Sequence, residues 1–142
     1  MCRGCQDVPI HRILRQHECD LTALQEQIDL GHVNLRSPCG KSPLMTAAYY
    51  CHKKALAPLL EAGAVINAVH FETGDTPAHY VVLSMSGHIR QCGCIMVLLE
   101  YGASIDMQNV DGYTVFELAT KAGNKDIGNT GTAMMRAEGE AE

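Results

Sequence analysis

The chain has 142 residues, which fits one compact domain or one short array of repeats. Its hydrophobic fraction is 46%, but aromatic residues make up only 5% and tryptophan is absent, so we expect an aliphatic core between closely packed helices. With 11 Lys and Arg against 16 Asp and Glu, the formal charge is −5, which argues against nucleic acid or an anionic membrane surface as partner.

The N-terminal segment lacks the apolar stretch of a signal peptide. The longest apolar run, residues 94–99, is far shorter than the roughly 20 residues that span a bilayer. Seven cysteines, an odd number, are more typical of thiols in a reducing compartment than of a disulfide framework. We therefore expect a soluble cytoplasmic or nuclear protein, monomeric on its own.

Four segments that each predict the start of a helix recur along the chain, at Val8, Ser42, Thr76 and Thr114. Their first residues lie 34, 34 and 38 positions apart, a spacing typical of repeat proteins. In the last three segments a hydroxyl can cap the helix N-terminus. In the first three a proline follows, at a position where no backbone N–H is needed. Each unit is therefore predicted to begin with a helix.

A second apolar stretch follows in each of the first three units, over residues 21–30, 55–62 and 94–101. A glycine comes directly after each stretch and suits the left-handed cap that ends many helices. β-Branched residues and a polar, glycine-containing stretch then lead to the next unit. The sequence predicts a second helix in each unit, then an extended turn.

These residues resemble the ankyrin-repeat family, whose unit of about 33 residues is two antiparallel helices and a β-turn finger. The resemblance is carried by GKSPLMTAAYYCHKKALAPLLEAGAVINA in the second unit, and by GDTPAHYVV, VLLEYGASID and DGYTVFELATKAGN further along. It covers roughly residues 7–127. It implies an all-α solenoid of stacked helix-turn-helix units with β-turn fingers.

The units depart from this pattern at the ends and in the third unit. The third unit is five residues longer, and we expect residues 84–93 to enlarge the loop between its helices. Residues 125–137 are predicted to form a short or frayed last helix. The predicted boundaries are an atypical N-terminal repeat 1–36, a repeat 37–69, a repeat with an inserted loop 70–108, a C-terminal capping repeat 109–137 and an acidic disordered tail 138–142.

The resemblance implies a non-catalytic adaptor or regulator, which includes small inhibitors, that binds another protein and needs no cofactor or metal. Its contact positions, carried over by register, lie beside the finger glycines and after the first-helix alanines. Phe71 joins them as an exposed finger-tip residue, and we expect Tyr49, Tyr50 and Tyr113 to be the anchors. The predicted surface comprises Arg15, Gln16, Pro38, Cys39, Lys41, Tyr49, Tyr50, Phe71, Glu72, Thr73, Asp75, Leu83, Ser84, Val110, Asp111, Tyr113, Lys121 and Ala122.

A thiol- or zinc-dependent protein is the alternative of a different class. Cys2 and Cys5 have the spacing of zinc ligands, with His11, His17 and Cys19 nearby, but no second pair of this kind follows. A redox-active pair is conceivable at Cys92 and Cys94. The favoured interpretation is that Cys94 lies in the core and Cys92 faces solvent.

Catalysis is not expected, because no phosphate loop, nucleophile elbow or metalloprotease motif is present. His79 with Asp75 and a cysteine could form a catalytic group. The resemblance instead implies that His79 hydrogen-bonds the neighbouring finger, and that His11 stabilises a helix start. Asn67 resembles the asparagine that hydroxylases modify in some ankyrin proteins, but finger hydrogen bonding is its expected role.

Overall fold

The computed structural model describes residues 8–16, 18–84, 87–104 and 106–129. Within them lie seven α-helices, a further helical turn at residues 125–129 and no β-strand. The helices are α1 Pro9–Leu14, α2 Leu21–Asp29, α3 Pro43–Tyr49, α4 Lys53–Glu61, α5 Pro77–Leu83, α6 His88–Glu100 and α7 Val115–Lys121. None of the described helices is both long and apolar enough to cross a membrane.

The helices form hairpins that stack in chain order. α1 packs on α2, α3 on α4 and α5 on α6. The first helices of successive units also touch, α1 with α3, α3 with α5 and α5 with α7, while α4 lies between α2 and α6. The predicted solenoid is confirmed. One row of first helices lies against one row of second helices, with an aliphatic core between them.

Hydroxyl caps start the first helices where the sequence predicts them. Ser42 Oγ accepts a hydrogen bond from Met45 N at 3.3 Å, and Thr114 Oγ1 accepts one from Glu117 N at 3.2 Å. Proline occupies the first helical turn of α1, α3 and α5. α1 follows Val8 without a side-chain cap, so its N-terminus lacks the hydrogen bond that stabilises the others.

Glycines with positive φ end the second helices and shape the fingers. Gly63, after α4, has φ +103°, which side-chain-bearing residues rarely adopt. Gly74, in the finger between α4 and α5, has φ +70°, and a Cβ built there would lie 3.1 Å from Val110 N of the next finger. Glycine at this position therefore allows two fingers to approach each other closely.

The predicted inserted loop is wrong over its second half, because residues 88–93 are helical. They extend α6 to 13 residues, compared with nine in α4. The buried Gln91 holds this extension in place: its Nε2 donates to Ser84 O at 2.9 Å, and its Oε1 accepts from Asn124 Nδ2 at 2.8 Å. Tertiary hydrogen bonds thus satisfy a polar residue that the sequence alone places in a loop.

The fourth unit consists of α7 and the helical residues 125–129, where Ile127 is buried in the common core. Its predicted second helix, 125–137, is described only to residue 129. The predicted acidic tail, 138–142, lies outside the described residues, as do Cys2, Cys5 and His17.

Candidate partner-binding surface

Buried histidines connect each finger to a neighbouring unit. His11 Nε2 lies 2.7 Å from Leu35 O, His70 Nε2 2.6 Å from Cys39 O, and His79 Nε2 2.9 Å from Tyr113 O. A carbonyl oxygen can only accept, so each Nε2 carries the proton and donates it. The finger hydrogen bond predicted for His79 is confirmed. Both ring nitrogens of His11 instead meet residues outside its own helix, Leu35 and Thr46, so its predicted role at a helix start stays a prediction. His70 was not predicted, because it lies in a finger rather than at a helix start.

The second nitrogen of each helix-start histidine fixes the ring. His79 Nδ1 accepts from Thr76 N at 3.1 Å, which agrees with a proton on Nε2. His11 Nδ1 lies 2.8 Å from Thr46 Oγ1 in the next unit. Burial, as the largest effect, lowers the pKa of His11. The ring is therefore held neutral inside the array.

Asparagines hold the bases of the fingers together. Asn34 Nδ2 donates to Gly63 O at 3.1 Å, and Asn34 Oδ1 accepts from Val65 N at 3.2 Å. One unit further, Asn67 Oδ1 accepts from Ser104 N at 2.9 Å. The expected finger hydrogen bond of Asn67 is confirmed, and the fingers form one connected row.

Large apolar side chains are exposed at the tips of the last two described fingers. Phe71 is 72% exposed and Val110 is 68% exposed. The Phe71 ring stacks on His70 at a centroid distance of 4.9 Å and lies against Gly40 of the preceding finger. Val110 N donates to Thr73 O at 2.9 Å. Both tips are therefore held in place, Phe71 by its ring and Val110 by its backbone, while most of each apolar side chain stays exposed to solvent.

A cluster of aromatic rings and one cation lies on the first helices beside the fingers. The rings of Tyr49 and Tyr50 meet edge to face at 5.2 Å, and Tyr49 also meets Tyr80 at 6.4 Å. Lys41 Nζ lies 4.9 Å from the Tyr49 centroid and 5.4 Å from that of Tyr80. Tyr80 is buried and was not predicted. It supports the half-exposed Tyr49 from below, so the predicted anchor is held rigidly.

Tyr113 has a similar arrangement in the fourth unit. Lys121 Nζ lies 4.6 Å from the centre of its ring and donates to its hydroxyl oxygen at 3.3 Å. Both residues are accessible to solvent, since Tyr113 is half-buried and Lys121 is exposed. A partner carboxylate could therefore meet the ammonium group while apolar groups contact the ring.

The predicted contact residues divide by exposure. Asp75 and Ser84 are buried: Asp75 Oδ1 accepts from Asn109 Nδ2 at 3.0 Å, and Ser84 Oγ lies 3.5 Å from Cys51 Sγ. These two residues serve the fold and do not belong to the exposed surface. Half-buried positions are Arg15, Cys39, Lys41, Tyr49, Tyr50, Thr73 and Tyr113. Exposed positions are Gln16, Pro38, Phe71, Glu72, Leu83, Val110, Asp111, Lys121 and Ala122.

The described cysteines do not form the pair proposed for the thiol alternative. Cys94 is buried, and its thiol hydrogen-bonds Cys51 rather than Cys92; that bond and burial raise the pKa of Cys94. Burial also raises the pKa of the half-buried Cys92. Both shifts disfavour the reactive thiolate. Within the residues that the structure covers, no three His, Cys, Asp or Glu side chains are placed to hold a metal ion.

Comparison with known proteins gives a consistent result. A family model described as ankyrin repeats, in three copies, matches residues 4–108. The chain is 36% identical over 104 residues to ZDHHC13 of Danio rerio, which is named as a palmitoyltransferase; the match covers 70% of this chain and 14% of that protein. It is 35% identical over 96 residues to BRCA1-associated RING domain protein 1 of Caenorhabditis elegans, covering 68% of this chain and 13% of that protein.

A third relative is named as an ankyrin repeat protein of Rickettsia bellii. It is 36% identical over 88 residues, which cover 59% of this chain and 35% of that protein. The chain thus spans about one seventh of the first two relatives and about one third of this one.

Proposed function

The chain belongs to the ankyrin-repeat family, and from that premise we propose that it is a non-catalytic adaptor or regulator that binds a partner protein through its fingers and first helices. Ankyrin repeats in general are protein-interaction modules, because stacked units present a continuous surface beside their shared core. The relatives are matched over a small part of their length. We therefore do not extend to this chain the palmitoyl transfer named for the first relative.

The exposed apolar finger tips are the observation that carries the proposal. Phe71 and Val110 keep 72% and 68% of their surfaces exposed, although the Phe71 ring stacks on His70 and the Val110 backbone N–H donates to Thr73 O of the neighbouring finger. Burying such rigidly held groups against a partner gains apolar contact with little loss of conformational freedom. Tyr49 and Tyr113, each beside a lysine, extend this surface onto the first helices.

The experiment begins with capture of partners from native cells on the tagged chain and identification of the captured protein by mass spectrometry. The dissociation constant is then measured by calorimetry with purified components. Phe71→Ser and Val110→Ser should each weaken binding by at least about tenfold, in the range of interface hot spots. Tyr49→Ala and Tyr113→Ala should weaken it as well.

Leu30→Ser is the matched control, because Leu30 is 65% exposed at the end of a second helix, α2, and is not among the finger and first-helix residues of the proposed surface. Its variant should bind with the affinity of the unaltered chain. Unchanged affinity in both finger-tip variants would refute the proposed surface, as would an equal loss in the Leu30 control.

A cytoplasmic or nuclear location, proposed from the cysteine count, is tested by imaging the tagged chain in cells.

A further inference from the structure

A cleft of about 480 Å³ lies at the opposite end of the helices from the fingers. Its walls come from the turn between α1 and α2, the turn between α3 and α4, and the first turn of α6. The lining residues are Glu18, Cys19, Leu21, Cys51, His52, Lys53, Lys54 and Arg90. We call it the turn cleft. Because the paired helices are antiparallel, these turns and the fingers lie at opposite ends of each pair.

The lengthened α6 supplies the third wall of the turn cleft. Arg90 lies in the first turn of α6, within residues 88–93 that the sequence predicted to be a loop, and its Nη2 donates to Cys51 O at 3.4 Å. α6 has four residues more than α4, which adds about 6 Å of helix. The insertion thus carries a guanidinium group to the turn of the second unit.

Positive charge dominates the turn cleft, although the whole chain is acidic. Lys53, Lys54 and Arg90 contribute three cations, and Glu18 contributes one carboxylate. Lys53 lies beside α6, where a Cβ built on Gly93 would be 3.4 Å from Lys53 Cδ. The charges of Arg90 and Lys53 both reach Cys94, where they oppose the rise in its pKa caused by the Cys51 hydrogen bond and burial.

We propose that the turn cleft is a second binding site, which accepts a carboxylate-rich segment of a partner protein. Three cations on a molecule of net charge −5 form a local region of opposite sign, which attracts an acidic segment and orients it. Leu21, which lines the cleft and is 42% exposed, offers an apolar contact beside these charges. The site therefore fits a segment in which acidic residues flank an aliphatic one.

The probe is a fluorescein-labelled peptide, Glu-Glu-Ile-Glu-Glu-Leu-Glu-Glu, whose binding is measured by fluorescence anisotropy in 50 mM sodium chloride. A peptide with Gln in place of every Glu should bind at least about tenfold more weakly. Lys54→Gln and Arg90→Gln should each weaken binding by about three- to tenfold. Raising the salt to 300 mM should weaken it further, because exposed charges are screened.

Lys125→Gln removes the same charge from an exposed position outside the cleft, and its affinity should stay within about twofold of the unaltered chain. Phe71→Ser should also leave peptide binding unchanged, which separates this site from the finger surface. Equal losses in the Lys54 and Lys125 variants, or a loss in the Phe71 variant, would overturn the proposal. Tighter binding of inorganic phosphate than of the peptide would also overturn it and identify a phosphate site. Circular dichroism confirms that each variant is folded.

Discussion

Buried histidines carry hydrogen bonds from one repeat to the next at several positions, and His79 is one of them. Both of its ring nitrogens are engaged, with Thr76 on one side and Tyr113 O on the other. Its role follows from its register after Thr76 and Pro77, so the sequence was sufficient to predict it. The burial of Asp75 and Ser84 was not predictable, because their partners Asn109 and Cys51 come from other units.

We predict that His79→Ala lowers the free energy of unfolding by about 2–3 kcal/mol, because it leaves buried polar groups without their partner. Urea denaturation followed by circular dichroism measures the change. His88→Ala is the control, since His88 is exposed at the start of α6, and it should change stability by less than about 0.5 kcal/mol. A similar effect in both variants would contradict the role of His79.

The lowered pKa of His11 predicts how stability depends on pH. The unfolded chain takes up a proton near the ordinary histidine pKa of 6.5, whereas the buried ring resists it. The unfolded state therefore binds more protons as the pH falls below 6.5, and this contribution to stability is lost. The slope from this single group is at most about 1.4 kcal/mol per pH unit.

The measurement is urea denaturation between pH 7.5 and pH 5.5. The unaltered chain should lose stability across this range, and His11→Asn should lose less, although it is less stable at pH 7.5. Equal slopes for the two proteins would show that His11 does not resist protonation.

At the scale of the helices, the hydroxyl caps and the glycines that end the second helices were predictable, because they depend only on residues close in sequence. The extent of α6 was not. The five additional residues of the third unit led us to predict a loop at residues 84–93, yet Gln91 anchors this stretch to Ser84 O and to Asn124 from the fourth unit. One of the two hydrogen bonds that stabilise this part of the helix thus comes from Asn124, which lies more than 30 positions after Gln91 in the chain.

Two glycine-to-alanine changes should have opposite effects on stability. Gly93 lies inside α6, and an added Cβ would meet only the flexible Lys53 side chain, so Gly93→Ala should stabilise by about 0.5–1 kcal/mol. Gly63 has φ +103°, so Gly63→Ala should destabilise by about 1 kcal/mol or more. Urea denaturation compares the two variants directly. Destabilisation by Gly93→Ala would show that α6 is not a regular helix at this point.

For the whole molecule, the sequence predicted the stacking order from the period of about 34 residues, because each hairpin needs a neighbour to bury its apolar face. The fingers were predictable as one surface for the same reason. The turn cleft was not, since its residues lie in three units and its third wall depends on the unexpected helix at 88–93. The register of the repeats thus predicts contacts between equivalent positions of neighbouring units. It does not predict the contacts of an insertion, which has no equivalent in the other units.

Because each unit contacts only its neighbours along the stack, the structure also predicts which unit unfolds first. α3 has first-helix neighbours on both sides, α1 and α5, whereas α1 contacts α3 on one side and has no side-chain cap. Local opening should therefore expose α1 at a free energy lower than that of global unfolding, by about 1–3 kcal/mol. Native-state hydrogen exchange of this chain can compare the amide of Arg12, bonded to Val8 O, with that of Tyr50, bonded to Thr46 O. Exchange of both amides at the same free energy would contradict this prediction and show that the units unfold together. In that case the hydrogen bonds of His11 and Asn34 to the second unit would be enough to couple the first unit to the rest.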